Sequence, residues 1–276
     1  MAADPALLAF AEDPDEYTAL GPDEERIVTD RFVVTFSPGE HHWSTTVGRV
    51  RVGEGDVRGA VDALRDLMRE RGRRAAAWTI GPSATPPRLR ERLIDAGLTL
   101  ESEEGSTILV LDEAPIVRVG PFDVRRVSTF EDHLAAIEVA IEGFGFSEAD
   151  TDDERRRARD TFDAERRGDH VITFLALDSN RPVSTGYGCP SPHGLYLGGV
   201  ATIPSDRRRG AMGAVVQGAW NEAVRRDTPA VVAHGGAMSR SSLERIGFRA
   251  VGRVDHLIDR LDQPVPEGQP KGSSGR

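Results

Sequence analysis

The chain has 276 residues, with 45 acidic against 35 basic side chains, a formal charge of -10 and a pI near 5.3. At roughly 150 residues per domain this is one large unit or two compact ones, either able to bury a core. The acidic balance disfavours a general nucleic-acid or anionic-membrane binder. The single cysteine, Cys189, excludes an internal disulfide and any cysteine-built zinc or iron–sulfur cluster.

The N-terminal run MAADPALLAFAEDPDE has no basic leader, and no later apolar stretch approaches the roughly 20 residues of a membrane span, so a soluble cytoplasmic protein is expected. Residues 1–25 hold eight acids and no Lys or Arg, which predicts a solvated or loosely packed arm. Hydrophobic periodicity then predicts strands over Ile27–Phe36 and Val47–Val52, a helix over Val57–Arg71, a strand over Ala75–Ile80, a helix over Pro87–Ala96 and a strand over Ile108–Leu111. Charge and proline at Asp112-Glu113-Ala114-Pro115 break the pattern, placing a domain boundary at 113/114.

Beyond it, the pattern predicts strand Phe122–Val127, helices Glu131–Ile141 and Asp152–Arg167, and strands Val171–Leu177, Val183–Gly188 and Leu195–Ile203. Helix Ala211–Arg226, strand Ala230–His234, helix Arg240–Ile246 and strand Val251–Ile258 follow. Short turns between neighbouring strands imply antiparallel pairing, and the helix between Ile203 and Ala230 implies a parallel crossover. Each half also runs long helix, short strand, Gly-containing loop, short helix, then Ala96-Gly97-Leu98 or Ile246-Gly247-Phe248, which reads as a divergent internal duplication. The tail 262–276, rich in Pro, Gly and Ser, is expected to be disordered.

The stretch LYLGGVATIPSDRRRGAMG, Leu195–Gly213, carries the most chemistry. A strand ends near Pro204, three arginines follow, and glycines enter a helix. Such a loop aims backbone amides and the positive helix end at one point, where a phosphate or pyrophosphate fits. The guanidiniums of Arg207, Arg208 and Arg209 add charge able to bind phosphate oxygens in pairs.

This stretch resembles the GCN5-related N-acetyltransferase (GNAT) family, whose signature is Arg or Gln, two residues, Gly, one residue, Gly or Ala. Arg207-Arg208-Arg209-Gly210-Ala211 meets it, but Met212 stands at the last position, with Gly213 one place later. The resemblance spans about Phe122–Ile258 and implies an α/β (α+β) fold of two tandem GNAT-like domains, each a mixed, mostly antiparallel twisted sheet flanked by helices. The division is 1–113, a degenerate domain with the acidic arm; 114–261, the acetyltransferase domain; and the tail 262–276. The implied activity is transfer of an acyl group, such as acetyl from acetyl-CoA, to an amine by direct attack in a ternary complex.

Carried over residue by residue, the resemblance implies cofactor contacts at Arg207, Arg208, Arg209, Gly210, Met212 and Gly213, and pantetheine contacts at Val200 and Thr202 beside a bulge at Gly198-Gly199. The Val200 amide would polarise the thioester oxygen. Leu243 and Gly236 stand where the family often has a tyrosine that protonates the thiolate and an asparagine. At the equivalent loop of the first half, Glu54 and Asp56 would repel pyrophosphate, so no cofactor is expected there.

His234 is either a proton carrier or a strand-end histidine with a structural hydrogen bond. Ser239, Ser241 and Ser242 either touch cofactor or cap a helix, and the cap is favoured for at least one. Phe144, Phe146 and Glu148, with Tyr187 and Tyr196, are the candidate acceptor contacts and would suit a cationic amine. Cys189 lacks a histidine at a diagnostic spacing. His41-His42 reads as a solvated pair on opposite strand faces, and no metal is expected. P-loop, dinucleotide, zinc-protease and serine-hydrolase motifs are missing. The partner is then a small-molecule or protein amine, with neither nucleic acid nor membrane, in a monomer or homodimer. The competing reading is a non-catalytic CoA-binding or partner-binding module.

Overall fold

The computed structural model describes residues 4–117 and 120–261; the tail from residue 262 lies outside the described residues. The first half runs α1 (Pro5–Glu12), α2 (Pro14–Tyr17), β1 (Glu25–Val28), β2 (Val33–Phe36), β3 (Thr45–Gly48), α3 (Val57–Glu70), β4 (Ala75–Ile80), α4 (Leu89–Asp95), β5 (Thr99–Leu100) and β6 (Ser106–Leu111). The second runs β7 (Phe122–Arg126), α5 (Phe130–Phe144), α6 (Glu148–Arg167), β8 (Ile172–Asp178), β9 (Arg181–Ser191), β10 (Gly194–Thr202), α7 (Ala211–Arg225), β11 (Val231–Gly235), α8 (Ala237–Ile246) and β12 (Arg249–Arg260). The mixed, mostly antiparallel sheet flanked by helices is the expected fold class, and the second half follows the predicted order of elements.

Among the described residues each half contains one parallel strand pair joined by a crossover helix, β3 with β4 through α3 and β10 with β11 through α7. Each pair shares two residue pairs before parting: Thr46 with Ala77 and Val47 with Trp78, then Leu195 with Val231 and Tyr196 with Val232. The same early divergence at the same place in the element order is what a tandem arrangement requires.

One sheet joins the halves, in the order β1-β2-β3-β4-β12-β6-β11-β10-β9-β8-β7, with β5 beside β12. The last strands are exchanged. β6 pairs with β11 of the second half, while β12 pairs with β6 over Arg249–Val254 and with β4 over Asp255–Arg260. β6 ends at Leu111, before the expected boundary at 113/114, and strand pairing crosses that point in both directions, so neither half closes its own sheet.

One sheet face carries α3, α4, α7 and α8, whose apolar stripes bury Val61, Leu64 and Met68 against Trp78 and Leu257, and Val215, Val216 and Ala219 against Phe174 and Leu195. The other face carries α5 and α1. Val139 packs on Val183, and Leu7, Phe10 and Ala11 pack on Ile108, Val110, Val232 and Val254. The acidic arm is therefore packed along α1, while Asp4, Asp23 and Glu25 stay exposed. Phe10 is fully buried, a burial that contributes roughly 2 kcal/mol, and Asp13 is itself buried where α1 meets α2.

Other expectations change locally. Ile27–Phe36 is a hairpin rather than one strand, because the Thr29 hydroxyl donates to the Phe32 carbonyl and accepts from the Arg31 and Phe32 amides in the turn. Val47–Val52 leaves the sheet after Gly48, where Arg49 takes a φ of 48°. His41 and His42 enter a single 3-10 turn with ring centroids 4.0 Å apart, so they lie side by side and not on opposite faces. His42 Nε2 and the Trp43 indole N–H lie 3.3 and 2.9 Å from the Glu101 carboxylate.

Candidate functional site

Strand β10 makes the site. It pairs in register with β9 from Gly194 opposite Ser191 to Gly198 opposite Tyr187, then resumes at Ala201 opposite Thr185. Gly199 and Val200 thus oppose the single residue Gly186, a β-bulge at the predicted glycines. Gly199 takes a φ of 57°, and a Cβ there would meet the Tyr187 ring at 2.6 Å, so both backbone conformation and space call for glycine. Because β10 leaves β11 after Tyr196, a wedge opens between Leu197–Thr202 and Ala233–Gly235, beside the bulge.

The wedge leads toward the N-terminus of α7. Gly210, at φ 100°, is its N-cap and offers no side-chain acceptor, so first-turn amides are left for a ligand or water. The three arginines before it divide. Arg207 donates to the Thr202 carbonyl at 3.2 Å and the Gly143 carbonyl at 2.7 Å, fastening the C-terminal turn of α5 to β10. Arg209 pairs with Asp178 at 2.9 Å and with Asp206, which also accepts both arms of Arg181 at 3.0 and 2.8 Å. These bonds, Arg181 first, hold the buried Asp206 carboxyl below the usual carboxylate range. Arg208, exposed at φ 64°, makes no ion pair or side-chain hydrogen bond among the described residues.

Met212, the departure from the family pattern, packs half-buried against the core beneath α7, so its side chain points away from the loop's amides. A Cβ on Gly213 would lie 3.1 Å from Val117, on the connector between the halves, and the Ile116 amide donates to the Ile246 carbonyl at 2.6 Å. Leu243 is buried. Ser239 does not cap α8; its hydroxyl donates to the Gly236 carbonyl at 3.2 Å, and Gly236 is the N-cap without a side-chain bond. The Thr202 hydroxyl meets that of Ser184 at 2.8 Å.

Across the bulge lies a cleft of about 1050 Å³ between α5–α6 and the strands β2 and β3, closed at one end by the α1–α2 corner. His234 lines it. Its Nε2 lies 2.8 Å from the Ala11 carbonyl, which only accepts, so Nε2 carries the hydrogen and Nδ1 the lone pair. Burial lowers its pKa and keeps the ring neutral. The ring thus makes a structural hydrogen bond to α1 and also lines the cleft.

Tyr187, 39% exposed, and the more buried Tyr196 also line the cleft, as does Cys189, whose pKa is pushed up by burial so that it stays a thiol. Phe144 and Phe146 stack at 5.8 Å with an interplanar angle of 11° and stand in the mouth, half exposed rather than in the core. Glu148 is exposed at the start of α6 and is not in the lining; Asp150, Asp153 and Glu154, on the next turns, are. Sequence reading missed His133, Glu165 and His256, because they stand among helix and strand residues without a local motif. Among the described residues nine carboxylates and three guanidiniums line the cleft, and Arg49 and Arg157 are already paired with Glu16 and Asp153.

No protein-family model matches the sequence, and no curated protein matches it. Solved structures do match. A GCN5-related N-acetyltransferase from Kribbella flavida aligns with a TM-score of 0.65 and 17% identity, over 94% of this chain and 96% of that one. A tandem GNAT protein from the clavulanic acid biosynthesis pathway aligns at 0.56 and 13%, over 94% of each chain. A GCN5-related N-acetyltransferase from Sphaerobacter thermophilus aligns at 0.53 and 19%, over 85% and 82%. At such identities the likeness is one of fold: the chain has the GNAT fold. Its arrangement is the tandem one.

Proposed function

We propose that the chain is an acyl-CoA-dependent N-acyltransferase, acetyl-CoA being the expected donor, acting on an amine seated in the acidic cleft. The observation that carries this is the bulge at Gly199-Val200 set in the wedge between β10 and β11, with the uncapped end of α7 on one side and the cleft on the other. A ligand holding both a pyrophosphate and an extended acyl arm fits that layout. Arg208 and the first-turn amides of α7 would hold the pyrophosphate, and the backbones of Val200 and Thr202 the pantetheine.

In this reading the Val200 amide donates to the acyl oxygen and stabilises charge developing there. The amine nitrogen bonds to the acyl carbon as the carbon–sulfur bond breaks. Nδ1 of His234 takes the proton the amine loses, directly or through water. Leu243 offers no proton, so the thiolate takes one from solvent. Cys189 has no part. The first half serves as a wall of the cleft: at the start of α3, Glu54 pairs with Arg92 and Asp56 with Arg31, so acids occupy the place where the second half has its anion site.

Thiol release from acetyl-CoA in the presence of a panel of amines tests this reading. Amine-dependent release, reduced in His234→Ala, supports it; no release with any amine overturns it. A non-catalytic CoA-binding module is the second reading, favoured by Val117 against Gly213 and by Leu243, and cofactor binding without release would select it. Among the described residues no helix is long and apolar enough to cross a membrane.

A further inference from the structure

Opposite the bulge, the cleft brings His133 of α5 and Glu165 of α6 together. His133 Nε2 lies 3.1 Å from the Thr161 hydroxyl, which itself donates to the Arg157 and Ala158 carbonyls at 3.1 Å each. With the hydroxyl hydrogen engaged by those carbonyls, the oxygen accepts from the imidazole, and in that tautomer Nε2 carries the hydrogen and Nδ1 presents its lone pair. That Nδ1 is buried, has no hydrogen-bond partner among the described residues, and stands 3.7 Å from Glu165 Oε2. His133 itself is only 4% exposed. Glu165 receives one bond, from the Thr173 hydroxyl at 3.2 Å. Burial pushes the Glu165 carboxyl from 4.5 up to about 7 with no cation beside it among the described residues, so once it is ionised a lone pair and a carboxylate face each other without a donor.

Their distance from the reacting centre follows from strand register. On the cleft face, Gly198 lies opposite Tyr187 and Tyr187 opposite Thr173, one row across β10, β9 and β8. Two strand spacings make this row about 10 Å long, with the bulge at one end and Glu165 above the other.

Resting on the transferase reading, we propose that Glu165 and His133 bind a second cationic nitrogen of the acceptor, so that the preferred substrate is a dication of the α,ω-diamine type. The ammonium donates to the Glu165 carboxylate and to His133 Nδ1 at once, and the distal amine reaches the acyl carbon at the bulge. A nitrogen–nitrogen separation of roughly 6 to 10 Å, at about 1.25 Å per bond of an extended chain, corresponds to about four to seven methylene groups. A monoamine of the same length leaves both acceptors unmatched.

The experiment compares kcat/KM for thiol release from acetyl-CoA with α,ω-diamines of increasing length against n-alkylamines of equal carbon count, in the wild-type chain and in Glu165→Gln and Glu165→Asp. The diamine should be favoured by roughly ten- to hundredfold, with a length optimum. Glu165→Gln should erase the preference while keeping monoamine turnover, and Glu165→Asp should move the optimum toward longer diamines. Equal turnover of mono- and diamines, or a preference that survives Glu165→Gln, overturns the assignment. Thermal shift by the diamine alone, in wild type and Glu165→Gln, is read in parallel. Stabilisation confined to wild type, without thiol release, keeps the cation seat and removes the transferase reading; no stabilisation and no release removes both.

Discussion

Arg65 and Asp259, 194 residues apart in sequence, share a bidentate ion pair. The guanidinium on α3 reaches the fully buried carboxylate at 3.1 Å through Nε and 2.7 Å through Nη2, close to the C-terminal end of β12. The pair fixes the exchanged strand to the first half. Removing one partner strands a buried charge, so Asp259→Asn should lower unfolding free energy by about 3 kcal/mol. Urea denaturation checks this, and a loss well under 1 kcal/mol would show that β12 is held by backbone pairing alone.

The arginines before α7 should separate by function. Arg208→Ala is expected to weaken acetyl-CoA binding by roughly tenfold without moving the melting temperature, since its side chain makes no ion pair or hydrogen bond among the described residues. Arg209→Ala should lower the melting temperature, because it leaves Asp206 and Asp178 with fewer partners. Calorimetric titration and thermal unfolding of the two variants distinguish these roles; identical behaviour would refute the division.

At the bulge, Gly199→Ala forces a Cβ onto a residue at φ 57° and against the Tyr187 ring. The backbone term alone is about 1–2 kcal/mol. Thiol release should fall more than stability does, because relaxing the bulge returns Val200 to the ladder. A variant that is destabilised but keeps full kcat would remove Val200 from the site.

Asp13 joins α1 to β3: its carboxylate accepts from the Arg49 amide at 2.7 Å, yet burial, the largest influence, pushes its pKa from 3.8 up to about 6. The folded chain therefore keeps this proton up to about pH 6, whereas the unfolded chain loses it near 4. Stability is lost as pH rises through that window, and the penalty is fully present above it, amounting to about 3 kcal/mol. Asp13→Asn keeps an acceptor for Arg49 and has no proton to lose. Its stability advantage over wild type should grow by that amount between pH 4 and pH 7.5 in urea unfolding; a constant difference would contradict the assignment.

Much of the second half was legible because its signals are local. The Gly198-Gly199 bulge, the glycine-capped α7 and the crossover each need only adjacent residues to specify them. The strand exchange was not legible, since β6 and β12 read as ordinary apolar strands and their partners are chosen by the whole sheet. Helix α1 was misjudged because the acids of residues 12–16 masked Leu7, Phe10 and Ala11, whose spacing already marks one helical face. Glu165 and His133 became a pair only when α5 packed on α6. The nearest sequence signal was His133 in line with Ala136 and Val139 on a face that packs inward.

Calorimetric titration with acetyl-CoA of wild type beside Arg208→Ala tests the central claim most directly, because it reads the wedge and helix end without requiring the acceptor. Micromolar binding, weakened in Arg208→Ala, is the expected result. No heat at millimolar acetyl-CoA, in a chain whose melting curve shows it folded, would contradict the cofactor site and the transferase reading with it.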